Sequence, residues 1–288
     1  MEPTTRNEEW TEVIKPETSV FDLHLAEVWR YRDLLSLLVR RDFVSNFKQT
    51  ILGPLWFFIQ PLMTTIMFTI IFGRIAGLAP GGVPTLLFYL SGITMWNYFS
   101  ECLTKTSTVF RDNANIFGKV YFPRLIMPLS IVVSNLLRMG VQLLLFVCLW
   151  VYYLITVPEQ LAPNAAIMLL PLLVLIMAGM GLGLGLIISA LTNKYRDLSF
   201  LIVFAVQLLM YATPVITPLS KVSPQYAWVM KINPMTSIIE VFRYGFLGEG
   251  SAVLDWGMLA YSFIFMVVVV IIGAVTFNKV EKTFMDTV

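Results

Sequence analysis

The chain has 288 residues, of which 57% are hydrophobic and only 13% charged. Soluble domains carry about 25% charged residues, so composition excludes an ordinary water-soluble protein and points to an all-α integral membrane protein. The formal net charge of +2 decides little, because in a bilayer the placement of Lys and Arg matters more than their sum.

Residues 1–24 are polar and acidic and read as a cytoplasmic tail. They show no basic stretch followed by an apolar run and a small-residue cleavage site, so the first span is expected to serve as its own targeting signal. Residues 25–50 come next, with Leu25, Val28, Trp29, Leu35, Leu38, Val39 and Phe43 at helical spacing. Arg30, Arg32, Arg40, Arg41 and Lys48 fill other positions. This pattern predicts a basic amphipathic helix lying flat at the headgroup level.

A helix that crosses the hydrocarbon needs about 20 apolar residues. Six segments of residues 51–280 meet or approach that length: 54–72, 84–102, 128–154, 165–191, 198–216 and 256–277. Residues 281–288 read as a second tail. Six crossings put both termini on one side, and that side carries fifteen Lys and Arg against four on the other, with Arg138 left inside span three. The excess predicts cytoplasmic termini. It places "FRDNANIFGKVYFPR", 110–124, in the cytoplasm as an insert between spans two and three.

Between spans five and six, 234–248 is apolar but too short to cross, and it holds Glu240 and Arg243. Such a run next to a membrane reads as re-entrant. Two half-inserted helices broken near 245–250 are expected.

Motifs for chemistry are absent. No Gly-rich phosphate loop of the G-x-x-x-x-G-K-[ST] form occurs. The run "GMGLGLG", 179–185, lies in an apolar span, and its small-residue spacing suits close helix packing in lipid. His24 is the only histidine, which excludes a His-based metal cluster or a Ser–His relay within one chain.

Intramembrane polar groups are then the functional candidates. Span three holds Ser134, Asn135, Arg138 and Gln142. Arg138 either snorkels to the inner headgroups or faces a polar conduit or an acidic neighbour such as Glu101. The aromatics Trp56, Phe57, Phe58, Phe68 and Tyr211 either face lipid and neighbouring helices or, with Gln60, Gln207 and Thr213, line a passage that offers flat faces to a sugar chain. With no energy-coupling motif in the chain, a pump would need a separate motor, and the insert after span two is where it would push.

Three stretches carry a family resemblance: "WRYRDLLSLLVRRDFVSNFKQTILGPLWFFIQPL" at 29–62, "NANIFGKVYFPRLIMPL" at 113–129 and "INPMTSIIEVFRYGFL" at 232–247. Over about 25–282 the chain resembles the transmembrane subunit of bacterial ABC-2 type polysaccharide exporters, the O-antigen, capsule and teichoic acid permeases, with the O-antigen branch nearest. The resemblance implies a homodimer of permease subunits in the cytoplasmic (inner) membrane, served by two ATPase subunits that bind ATP and Mg. This chain itself would be no enzyme and hold no cofactor. Its substrate would be a lipid-linked glycan.

On that resemblance Arg111, Asp112, Asn113, Asn115, Phe117 and Lys119 meet the ATPase. Arg40, Arg41 and Arg124 attend the substrate entrance. Trp56, Phe57, Gln60, Phe68, Gln207, Tyr211 and Thr213 line the conduit, and Asn233, Pro234, Glu240 and Arg243 mark the re-entrant external segment. Arg138 departs from the acidic or neutral residue expected at its position. The rival readings are an exporter of a small lipophilic compound or of teichoic acid, a membrane-embedded glycosyl- or phosphotransferase, and a secondary transporter. The transferase would need an acidic or His cluster, and the secondary transporter internal repeats and a midplane ion site.

Overall fold

A computed structural model describes residues 25–284 except 46, 47, 49, 114, 115, 117–121 and 196. Among the described residues every regular element is helical. The amphipathic stretch forms α1 (Leu25–Arg30) and α2 (Arg32–Ser45), separated at Tyr31. Leu38 and Val39 of α2 are buried, whereas Trp29 turns outward. Pro54 opens a 3-10 turn, Gly53–Leu55, that leads into α3 (Trp56–Phe68) and then a widened π turn, Thr69–Ile75. The order continues with α4 (Thr85–Ser107), the short α5 (Val109–Asp112), α6 (Ile126–Thr156), α7 (Leu170–Lys194), α8 (Leu198–Tyr211), α9 (Pro224–Ile232), α10 (Met235–Leu247) and α11 (Trp256–Phe284).

Among the described residues four stretches are long and apolar enough to cross a bilayer: Gly53–Ile75, Ile126–Thr156, Ala165–Thr192 and Trp256–Val280. Two expected spans behave differently. α4 is long enough but less apolar, because it lies inside the bundle, with Ser91, Thr94, Thr106 and Ser107 all buried along it. A helix shielded from lipid does not need a lipid-like surface. α8 has 14 residues, about 21 Å at 1.5 Å per residue, and the expected continuation to Ile216 is instead a buried turn.

α7 is the hub, packed between α4 and α11. The four glycines of its central run divide the two contacts. A Cβ at Gly181 would stand 2.7 Å from Cys102 Cβ on α4, and one at Gly183 would stand 2.7 Å from the Val269 backbone on α11. The stripe therefore lets two backbones approach α7 from opposite sides. Val109, Phe110, Phe122, Ile126, Met127, Leu186 and Phe277 close a second, smaller core with Leu38 at one end of the bundle.

The helix pair expected here needs correction. Its two short members are α9 and α10, and they part at Asn233–Pro234, whereas the expected break near 245–250 is the end of α10. A residue before proline is pushed out of the helical region. Here Asn233 takes an extended conformation, and its Oδ1 accepts from the Met235 amide at 3.0 Å. Gly248, with φ of 95°, ends α10.

Candidate functional site

The candidate side chains gather in three places: a polar cleft among α3, α4 and α6, the elbow after α4, and the buried helix α10. The cleft follows from helical spacing. Asn97, Glu101 and Lys105 stand four apart on α4, and Asn135, Arg138 and Gln142 stand three and four apart on α6, so each set forms one stripe. The stripes face each other. Asn97 Nδ2 donates to Gln142 Oε1 at 3.4 Å, and Arg138 Nη1 reaches Glu101 Oε2 at 3.3 Å. Lys105 pairs with the same carboxylate from its own helix.

From α3, Phe57 lies under the Arg138 guanidinium at 5.4 Å, and Gln60 and Pro61 complete a cavity of about 100 Å³. Arg138 is mostly covered, 16% exposed, and its partner is the acidic neighbour that the sequence offered. Asn135 is buried and sends Nδ2 toward Cys102 Sγ at 3.8 Å, while Asn135 Oδ1 and Arg138 Nε have no hydrogen-bond partner. Such groups cost free energy when left unpaired in a low-dielectric interior.

The elbow is built on Phe110, which stacks on Phe277 of α11 with centroids 4.5 Å apart and rings 17° from parallel. Arg111 is half-exposed. Its Nε bonds Asp112 Oδ1 at 3.0 Å, and Nη1 reaches Ser199 Oγ at the start of α8, also at 3.0 Å. Thr108 donates to Asp112 Oδ2 at 2.6 Å, and Asn113 Nδ2 to the Val109 carbonyl at 3.0 Å. Thr192 of α7 donates to the Ser107 carbonyl at 2.7 Å. The elbow is thus fastened to α7, α8 and α11 at once. Asn115, Phe117 and Lys119, expected to meet a motor, lie outside the described residues. Of the three expected entrance residues, Arg40 is exposed, Arg41 forks onto Asp42 at 2.9 and 3.1 Å, and Arg124 is buried at 4% exposure.

The expected conduit residues fall into separate groups. Phe57 and Gln60 line the cleft, and Trp56 beside them is exposed. Phe68 turns inward, edge-on to Phe72 and Tyr89 at 5.1 and 6.1 Å. Gln207 and Tyr211 are exposed on α8, and Thr213 is buried with its hydroxyl on the Met210 carbonyl. Asn97 was missed as a site residue. Its four-residue spacing to Glu101 was the available signal.

α10 is buried along most of its length. At its far end the carbonyls that a helix leaves open are met by the chain before α7. The amides of Ala162 and Asn164 bond the carbonyls of Leu247 and Gly245 at 3.3 and 3.0 Å. Trp150 Nε1 donates to the Phe246 carbonyl and Asn164 Nδ2 to the Tyr244 carbonyl, each at 2.8 Å.

Arg243 is fully buried. It donates from Nε to Ser91 Oγ at 3.0 Å, and from Nη2 to the carbonyls of Phe88 and Val215 at 3.0 and 3.2 Å. Nη1 reaches the Pro214 carbonyl, and the guanidinium sits 3.6 Å above the Phe88 ring. Glu240, also buried, accepts from the Val253 amide at 3.4 Å beside a cavity of about 210 Å³. Burial pushes its carboxyl above the usual carboxylate range, an effect that Arg243 opposes. Asn233 Nδ2 ties the α9–α10 break to the Ala212 carbonyl at 3.2 Å. Among the described residues no cluster of three or more His, Cys, Asp or Glu could hold a metal.

A profile of the ABC-2 type transporter family matches residues 33–247. The chain is similar to the O-antigen export system permease protein RfbA of Myxococcus xanthus, with 28% identity over 219 residues, covering 75% of this chain and 81% of that one. Two Klebsiella pneumoniae proteins of the same name are 25% and 24% identical over 256 residues, covering 88% of this chain and 94% of each. The stretch matched by the family, 33–247, contains all but the first residue of α2, the whole cleft, the elbow and Arg243. The chain belongs to the ABC-2 type transporter family, a multi-pass permease subunit and not an enzyme.

Proposed function

We propose that this permease exports a lipid-linked polysaccharide of the O-antigen kind across the bacterial cytoplasmic membrane. The carrying observation is the similarity to three O-antigen export permeases over 75–88% of the chain. ABC-2 permeases work with ABC ATPase subunits, so the energy comes from a partner. The four long spans are joined by α4 and α8 to make six crossings with both termini cytoplasmic, a reading that the fifteen-to-four distribution of basic residues supports. Two copies pair. The outward face of α8, with Phe200 80% and Phe204 61% exposed, and the outward residues of α3, with Trp56 48% exposed, support a partner surface. In that arrangement Gln207 and Tyr211 line the conduit, α9 and α10 insert from the external side, and Arg40 and Arg41 meet the acidic headgroup of the substrate.

Coupling runs through the elbow. Closure of the motor displaces residues 109–113, and the Phe110–Phe277 stack and the Arg111–Ser199 bond pass that displacement to α11 and α8. A motor shifts an equilibrium only by contacting its two states differently.

The test is a deletion in the organism that carries the gene. Surface polysaccharide should disappear while its lipid-linked form accumulates in the inner membrane, and the intact gene should restore export. Unchanged surface glycan together with retention of a small lipophilic compound or of teichoic acid would replace this substrate.

A further inference from the structure

The cleft has a chemistry that mechanical coupling does not use. Its two stripes meet through long contacts, 3.4 Å for Asn97–Gln142 and 3.3 Å for Arg138–Glu101, and both lie at or beyond the ordinary range for N–H···O bonds. Contacts this loose are opened at little cost by a ligand that offers better ones. One turn apart on α6, Arg138 Nε is a buried donor without a partner and Asn135 Oδ1 a buried acceptor without one.

That pairing discriminates between ligands. A phosphate offers acceptors; it would satisfy the guanidinium but set anionic oxygens against Asn135 Oδ1 and the Glu101 carboxylate. A hydroxyl both donates and accepts, so neighbouring hydroxyls on one ring answer the donor and the acceptor together. The remaining polar groups fit the same ligand, since the amides of Asn97 and Gln142 each donate and accept, and the Glu101 carboxylate accepts a charge-assisted hydrogen bond from a hydroxyl. Phe57 supplies an apolar face for the C–H side of a sugar ring, and exposed Gln60 stands at the rim.

We infer that the cleft among α3, α4 and α6 is a binding site for the hydroxyl-rich sugar headgroup of a glycolipid. The ligand enters by a small outward movement of Gln142 and Arg138 that breaks the two long contacts. The identification of that glycolipid as the exported substrate rests on the function proposed above, whereas the site itself requires only a sugar carried on a lipid.

The experiment uses the permease–ATPase complex in phosphatidylcholine nanodiscs and two photoactivatable probes with the same diazirine-bearing dodecyl chain. One carries glucose and the other phosphate. Mass spectrometry then maps the labelled peptides. The glucoside should label segments around 57–60, 97–101 and 135–142, and excess dodecyl maltoside should compete it away. Asn97→Leu and Gln142→Leu should each lower labelling about tenfold, the loss expected for one good hydrogen bond. Co-elution of each variant with the ATPase shows that it has folded.

Equal or stronger labelling of the cleft by the phosphate probe would overturn the proposal. So would labelling by neither probe, which would leave a cavity filled by water alone. Export separates the two readings. Glycan export with an unlabelled cleft removes the site and keeps the transport function, and a labelled cleft in a strain that exports no glycan keeps the site and removes that function.

Discussion

Arg138 and Arg243 are both withdrawn into this helical bundle, and they are held in opposite ways. Arg243 is completely covered, all three of its nitrogens donate, and an aromatic ring lies against it at 3.6 Å. Arg138 is 16% exposed, holds one carboxylate at 3.3 Å and leaves Nε without a partner. A buried cation survives only when it is paired or fully hydrogen-bonded. Arg243 meets that condition with neutral oxygens, so it ties α10, α4 and the 212–216 turn into one unit with no acidic partner at bonding distance among the described residues. Arg138 meets it partially, beside a cavity, with a carboxylate that Lys105 also claims. The first arginine is a fastening, and the second keeps a buried donor unused beside a cavity.

The largest effect that would test this contrast is at Arg243. We predict that Arg243→Ala destabilises the permease by at least about 3 kcal/mol, because several buried acceptors lose their donor at once. Thermal unfolding of the purified complex would show it, and a melting temperature within 2 °C of the parent would contradict the fastening role. Gly92→Ala attacks the same place from α4. Its new methyl would lie 2.6 Å from Arg243 Nη2 and 3.1 Å from the Val215 Cα, and an overpacked core costs about 1–3 kcal/mol. That variant should accumulate poorly in membranes, and parental abundance would count against the packing argument.

The cleft should behave otherwise. Replacing both charges, Glu101→Leu with Arg138→Leu, should change stability by less than about 1 kcal/mol, since Glu101 is half-exposed and an ion pair that reaches solvent contributes about 0–1 kcal/mol. Transport should nevertheless fall severalfold. A double variant with full transport would strip the pair of any functional part, whatever its melting temperature. The smallest effect on stability is expected at the elbow, where Arg111 makes a half-exposed pair worth about 0–1 kcal/mol. Arg111→Ala should leave insertion and ATP hydrolysis intact while lowering the export obtained per ATP, measured in reconstituted vesicles. An unchanged ratio would mean that the Arg111–Ser199 bond transmits nothing.

How far the sequence could be read differs by segment. The helices that touch lipid were plain, because a surface in hydrocarbon must be apolar along its full length, and Ile126–Thr156 and Trp256–Val280 met the predicted spans within a few residues at their starts. α4 was legible by length, although its buried Ser and Thr mask it on a hydropathy scale. The glycines at 245–250 marked the end of α10, while the break between α9 and α10 had its own signal in Asn233–Pro234, a proline and the residue that it pushes out of the helical region. Within the cleft, Glu101 and Arg138 were readable as possible partners because charge inside a span demands compensation. Asn97 was not singled out, since a lone amide near the middle of a helix has many harmless explanations.

Residue order alone settled that this chain is helical, lives in a bilayer, lacks catalytic and phosphate-cradling motifs, and carries its basic residues unevenly. Those properties follow from hydrophobicity and from spacing along a helix, which are local quantities. Only the tertiary structure decided which polar stripe faces which, that four glycines serve two different neighbours, and that one buried arginine is saturated while the other is left wanting. Those outcomes depend on the rotation and depth of each helix against the next, and rotation and depth are set by contacts between residues far apart in the chain.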